Sequence, residues 1–208
     1  MTEPHEIAPS VETVADGLWH WRISNANIGG AVSSSHAVRI EDPESGAMGC
    51  VLVDPVRLDP HAMQQLPKVR AIVLTARCHQ RAAWHYREQL GVEVWMPRNA
   101  EDSEEAPDHL YGDGDELPGG LRAIHTPGPA GQHYSLLDRV HNALIVSDLV
   151  AAGDDGSVSL LPDSFSEDPA ASRASVAELA DAEFEILLFD HGAPIISRAR
   201  ETLVAALD

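Results

Sequence analysis

The sequence predicts an α/β fold in which two β-sheets pack face to face and helices cover their outer sides. Two observations carry this. Short apolar runs rich in β-formers cluster in each half of the 208 residues, with helical segments interspersed. The strand candidates between 121 and 148 are joined by turns too short for helical crossovers, which disfavours a doubly wound parallel sheet. No internal repeat or long linker divides the chain. Residues 1–208 read as one domain, with 1–16 as a loosely ordered N-terminal segment.

"GLWHWRI" (17–23) and the less regular "AVSSSHAVRI" (31–40) read as strands. "CVLVDP" (50–55) is a buried-strand run closed by Asp-Pro. A short helix at "HAMQQL" (61–66) leads to a second apolar strand, "AIVLT" (71–75). "RAAWHYREQL" (81–90) has strong helix formers and stops at Gly91, a C-cap residue. "VEVWMP" (92–97) returns as a strand, and an acidic loop follows over 99–109. After the turn-rich "GDGDELPGG" come the strands "LRAIHT", "YSLLDR" and "ALIVSD". A helix opens at Asp168 as N-cap with Pro169 in its first turn. Strand "EILLFDH" (185–191) and helix "SRARETLVAAL" (197–207) complete the order.

Composition narrows the function. Thirty-three acidic residues stand against 14 basic ones, a formal net charge of −19, and Lys68 is the single lysine. Nucleic acid and anionic lipid are therefore poor partners, because phosphate binding rests on Lys and Arg. No apolar run approaches the roughly 18 residues of a membrane span, and the N-terminus lacks the basic start and apolar core of a secretory signal. The expectation is a cytoplasmic protein with no membrane partner that binds a small-molecule ligand or substrate. Two cysteines, Cys50 and Cys78, suit a reducing compartment.

Residues with chemical potential gather at strand ends: Asp54, then Cys78, His79 and Arg81, then His125 and His133, then Asp148, then His191. Strand ends on one rim are where α/β folds assemble sites. The order of the segments is more specific than any one of them. "VLVDP" (51–55), "AIVLTARCHQR" (71–81), "DGDELPGGLRAIHTPG" (113–128), "ALIVSDLV" (143–150) and "ILLFDHGAPI" (186–195) follow one another at the spacing of landmarks in the metallo-β-lactamase superfamily. The chain resembles that family over roughly residues 17 to 207, and the resemblance implies the αββα sandwich.

The same resemblance implies that most metal ligands have been replaced. The H-x-H-x-D-H motif becomes Ala76, Cys78, Gln80 and Arg81, and Pro129 stands where another His is expected. Asp148 and His191 match, and Cys78 is a conservative exchange because thiolate binds zinc. The segment "TARCHQR" also resembles a subset of the family with T-N-x-x-H-x-R. A di-metal hydrolase holds both ions with several neutral imidazoles and a carboxylate, and here Arg81 brings a permanent positive charge instead.

The leading expectation is a superfamily member that is not a di-metal hydrolase, with no cofactor, an Arg81–Asp148 ion pair, and a pocket built from Arg81, Asp148 and His133. The alternative is a hydrolase of an ester, thioester or related bond that keeps zinc or another divalent metal at one site. Its ligands would come from Cys78, His79, Asp148 and His191. A Cys78 nucleophile and an interaction module without pocket chemistry are further readings. The loops at 100–109 and 151–165 are expected to overhang the rim.

Overall fold

The structure, a computed structural model, describes residues 3–41, 45–99, 103–153 and 155–207. Seven strands form the first sheet in sequence order: β1 (Glu12–Ala15), β2 (Leu18–Asn25), β3 (Ala31–Glu41), β4 (Met48–Val53), β5 (Lys68–Val73), β6 (Glu93–Pro97) and β7 (His109–Tyr111). The first four pair antiparallel. From β4 onward the pairing is parallel, because the chain crosses back through α1 (Pro60–Met63) and α2 (Ala83–Leu90).

The second sheet is formed from β8 (Glu116–Leu117), β9 (Leu121–His125), β10 (Tyr134–Asp138), β11 (Ala143–Ser147) and β14 (Ile186–Phe189), in the order β14-β11-β10-β9-β8. Between β11 and β14 run the separate hairpin β12 (Val150–Ala152) with β13 (Val158–Leu160) and the helix α3 (Pro169–Leu179). β14 joins β11 in parallel, and α4 (Ala199–Ala205) closes the order.

Three apolar clusters define four layers. Trp21, Leu52, Ile72 and Met96 on one face of the first sheet pack with Ala83, Trp84 and Tyr86 of α2. Leu18, Val38, Val51 and Val73 on its other face meet Leu121, Leu136, Ile145 and Leu188 between the sheets. The outer face of the second sheet, with Leu144, Val146 and Leu187, receives Val176 and Leu179 of α3 and Leu203 of α4. This is the αββα order. Alternate residues of a strand point to opposite faces, so β4 and β11, each serving two clusters, are apolar over 50–53 and 143–146.

The local signals act as expected at the helix ends. Gly91 caps α2 at φ 64°, where a Cβ would be strained, and its N–H returns to Arg87. Asp168 caps α3 by accepting from the Ala171 N–H at 3.0 Å.

The expected loose segment over 1–16 is corrected in its described part. Glu12–Ala15 form β1, and Ala8 is fully buried with its N–H on the Arg57 carbonyl at 2.8 Å. The acidic loop at 99–109 lies partly outside the described residues, and its last residue opens β7. No helix among the described residues is long and apolar enough to cross a membrane.

Candidate functional site

The parallel pairs β4–β5 and β11–β14 end at the same rim. Asp54 follows β4, Thr75 follows β5 by two residues, Ser147 and Asp148 end and follow β11, and Asp190 follows β14. Cross-sheet backbone bonds hold these ends together: the Tyr134 N–H donates to the Thr75 carbonyl at 3.0 Å, and the Ser34 N–H to the Asp190 carbonyl at 2.8 Å. Asp54, Arg81 and Ser147 all have positive φ (46°, 40° and 53°), half of the six non-glycine residues that do so among the described residues. Such backbone costs about 1–3 kcal/mol per residue and persists where its surroundings demand it. Here those surroundings are a single polar cluster.

His79 is its centre. Its Nε2 lies 2.8 Å from Asp148 Oδ2. Its Nδ1 lies 3.0 Å from Asp190 Oδ2 and 3.2 Å from Asp54 Oδ2. The Thr75 hydroxyl, 3.0 Å from the same Nδ1, donates to Asp54 Oδ2 at 2.5 Å, and the Ser147 hydroxyl reaches Nδ1 at 3.2 Å. Carboxylates near both nitrogens favour the doubly protonated ring. Burial alone would lower its pKa, but the charges of Asp148, Asp190, Cys78 and Asp54 outweigh that and raise it well above 6.5.

Arg81 is the second buried cation. It donates through Nη1 to the Ser34 and Asp54 carbonyls at 2.8 and 3.0 Å and through Nη2 to Asp190 Oδ2 at 2.9 Å. Burial pushes Asp190 up to about 6, with Arg81 and His79 pulling the other way. Asp148 is half-buried, which works to raise its pKa, yet contacts with His79 and His191 hold it well below 3.8. His191 donates from Nδ1 to the Val32 carbonyl at 2.6 Å. Its Nε2 stands 3.1 Å from Asp148 Oδ1, at ion-pair distance but outside a hydrogen-bonding direction.

Above the cluster opens a cavity of about 670 Å³. Cys78, His79, Arg81, Asp148 and His191 line its floor, and Ile28, Val32, Leu161 and Phe165 are among its walls. A family model described as metallo-beta-lactamase superfamily matches residues 36–206. The chain belongs to the metallo-β-lactamase superfamily.

Solved members of the superfamily share the architecture. FIM-1 from Pseudomonas aeruginosa, in its mono-zinc form, superposes with a TM-score of 0.73 at 17% identity, over 98% of this chain and 96% of that one. A metallo-beta-lactamase from Hirschia baltica gives 0.70 at 16%, over 97% and 98%. A beta-lactamase domain protein from Burkholderia ambifaria gives 0.65 at 17%, over 97% of this chain and 77% of that one. At such identities the likeness carries the fold alone. No curated protein sequence matches the chain.

The superfamily's landmark positions are thus in place, but the expected pairings change. Arg81 faces Asp190 rather than Asp148, because its left-handed backbone sends the side chain under the floor toward β14. Asp148 is held by His79 and His191 instead. His133 does not line the cavity. It is fully buried, donates from Nδ1 to the Thr126 carbonyl at 2.9 Å, and receives the Asp148 backbone N–H on Nε2 at 3.2 Å. Burial lowers its pKa to about 4, so it orients the Asp148 backbone as a neutral ring.

Gln80 points away: its side-chain oxygen accepts from Trp84 Nε1 and from the Glu104 N–H at 2.9 and 2.6 Å. The Pro129 loop is bound to the α3 region by Ser166 and Ser175 hydroxyls on the Gly128 and Pro127 carbonyls, both at 2.8 Å. The 151–165 stretch does overhang the rim, with Ala151, Ala152, Leu161 and Phe165 lining the cavity. None of the described residues of 100–109 lines it. Asp190 was not singled out from the sequence. Its signal is a carboxylate closing the apolar run "ILLFD", just as Asp54 closes "VLVD".

Superfamily members commonly bind zinc, and two groups of donors lie close enough to test that fit. Cys78, His79 and Asp148 place one ligand atom each within 4.8 Å of one another, and so do Asp54, His79 and Asp190. Both groups pass through His79, which could ligate only after giving up a ring proton that its carboxylate neighbours favour. Arg81, a fixed cation, is paired with Asp190 beside them. Because the two groups share His79, they do not form two separate ligand sets.

Proposed function

We propose that this chain is a ligand-binding member of the metallo-β-lactamase superfamily whose site has exchanged its metal pair for two organic cations. The observation that carries this reading is His79, enclosed between Asp148 on one nitrogen and Asp54 and Asp190 on the other. With Arg81 beside it, the imidazolium neutralises carboxylates that would otherwise need ions. The floor then holds three carboxylates around two organic cations, and the cavity above it is a receptacle for a small molecule. Its size is in the range of small-molecule sites, about 300–1,000 Å³, which favours ligand binding over a purely structural role.

The test is metal content per chain in protein purified without chelator from cells supplied with zinc, manganese and iron. The reading expects folded protein without stoichiometric metal and a melting temperature indifferent to chelator. Two ions per chain would overturn it.

The second reading, a hydrolase with one metal, has an observation of its own. Cys78 Sγ, Asp148 and His191 Nε2 all face the cavity, with the sulfur 4.0 Å from Asp148 Oδ2. It requires His79 to surrender a proton or to stay out of the ligand set. One ion per chain, together with ester or thioester hydrolysis that Cys78→Ser weakens, would favour it.

A further inference from the structure

The floor's cations, Arg81 and His79, are engaged by its carboxylates, and Asp148 Oδ1 has no hydrogen-bond partner, so a cation free to meet an anionic ligand must come from elsewhere. Asp54, Asp148 and Asp190 face Arg81 and His79, and His191 stands beside Asp148. Among the cavity residues, Arg22 is different. It lies on β2 opposite Ser34, is exposed, and lines the cavity. It makes no ion pair or hydrogen bond among the described residues, whereas Arg39, Arg57, Arg81 and Arg87 each face a carboxylate.

The walls between Arg22 and the floor are apolar. Ile28 comes from the turn between β2 and β3, Val32 from the start of β3, and Leu161 and Phe165 from the segment after β13. Phe165 leaves 70% of its surface exposed at the cavity mouth, available to an apolar body. A guanidinium presents a planar fork that matches a carboxylate through two parallel hydrogen bonds. A polyanion is disfavoured by the net charge of −19.

We infer that the cavity takes an amphipathic monocarboxylate, its head group on the Arg22 guanidinium and its apolar body along Ile28, Val32, Leu161 and Phe165. This rests on the reading of the cavity as a ligand site. Arg22 acts as a specificity-determining residue at the mouth and takes no part in the buried cluster.

The experiment compares decanoate, decanol and decyltrimethylammonium by calorimetric titration, below the concentration at which each aggregates. It uses the full chain, R22Q, R22K and L161D, with melting temperatures confirming that each variant folds. Decanoate is expected to bind at least about tenfold tighter than decanol, a difference of about 1.4 kcal/mol. R22Q should remove that preference while leaving decanol binding unchanged, R22K should keep part of it, and L161D should weaken decanoate and decanol together. Equal binding of decanoate and decanol, retention of the preference in R22Q, or a preference for the ammonium probe would overturn the assignment of Arg22 and leave the cavity a ligand site. Failure of all three probes to bind would overturn both this inference and the reading it rests on.

Discussion

Two groups of buried histidine lie between the sheets, and they have been treated in opposite ways. His79 is 3% exposed and has a carboxylate within 3.2 Å of each ring nitrogen. His20 and His36 face each other across β2 and β3, 1% and 0% exposed, with ring centroids 5.4 Å apart. Neither nitrogen of His20 has a hydrogen-bond partner among the described residues, and His36 has only the Phe189 carbonyl at 3.0 Å from Nε2. Burial pushes His20 down to about 3 and His36 to about 4, while the carboxylates around His79 push it up. Burial by itself makes a histidine neutral; acceptors on both sides make it a cation. At the rim His79 stays charged because carboxylates face both its nitrogens.

The strongest way to break this comparison is to remove one cation from the answered cluster. Arg81→Leu leaves Asp190 buried without its partner and should cost about 3–5 kcal/mol in urea unfolding. The double variant R81L/D190N should recover part of that loss, since no unpaired charge is left. If the single variant unfolds at the same urea concentration as the parent, the pair does not hold the fold.

Next in size is the effect of pH through the unanswered pair. The unfolded chain binds a proton on His20 below about pH 6.5, whereas the folded chain binds it only near pH 3. Stability is therefore lost as pH falls through that window, by up to about 1.4 kcal/mol per pH unit for one histidine. His20→Phe should narrow the stability gap between pH 7 and pH 4.5 by about 2.5 kcal/mol. An unchanged gap would mean that His20 finds a partner when it ionises.

The smallest of the three effects sharpens the role of Asp148. Asp148→Asn removes the charge that His79 Nε2 faces and should cost about 2 kcal/mol at neutral pH. The sign in pH follows from a raised folded pKa. Stability from His79 is fully present below the unfolded value and lost as pH rises through the folded one. In D148N that loss should move to lower pH, visible as a melting temperature that declines earlier on the alkaline side.

Much of the architecture is legible in the sequence because sheet periodicity and strand-end punctuation are local. "VLVDP", "AIVLT" and "ALIVSD" sit on strands β4, β5 and β11, and Asp168 and Gly91 act as caps where the residue types predict. The convergence of Cys78, His79, Asp148 and His191 on one rim was also readable from their places in the chain. The pairings were not, because they depend on which way a side chain leaves its backbone. Arg81 reaches Asp190 from a left-handed backbone position, and His133 turns to the Asp148 backbone rather than the cavity. His20 and His36 carry no sequence signal beyond alternation in their strands. Their isolation exists only once β14 and the second sheet cover them.

The protonation of His79 is the most direct test of this account. Nitrogen-detected imidazole NMR at pH 8, with the resonance assigned by its loss in H79Q, reports each ring nitrogen separately. The account predicts that both nitrogens of His79 carry protons and that an equivalent of zinc leaves their shifts unmoved. A neutral His79 ring, with one nitrogen shifting as zinc is added, would contradict the exchange of metal for organic cations and restore a metal centre to this site.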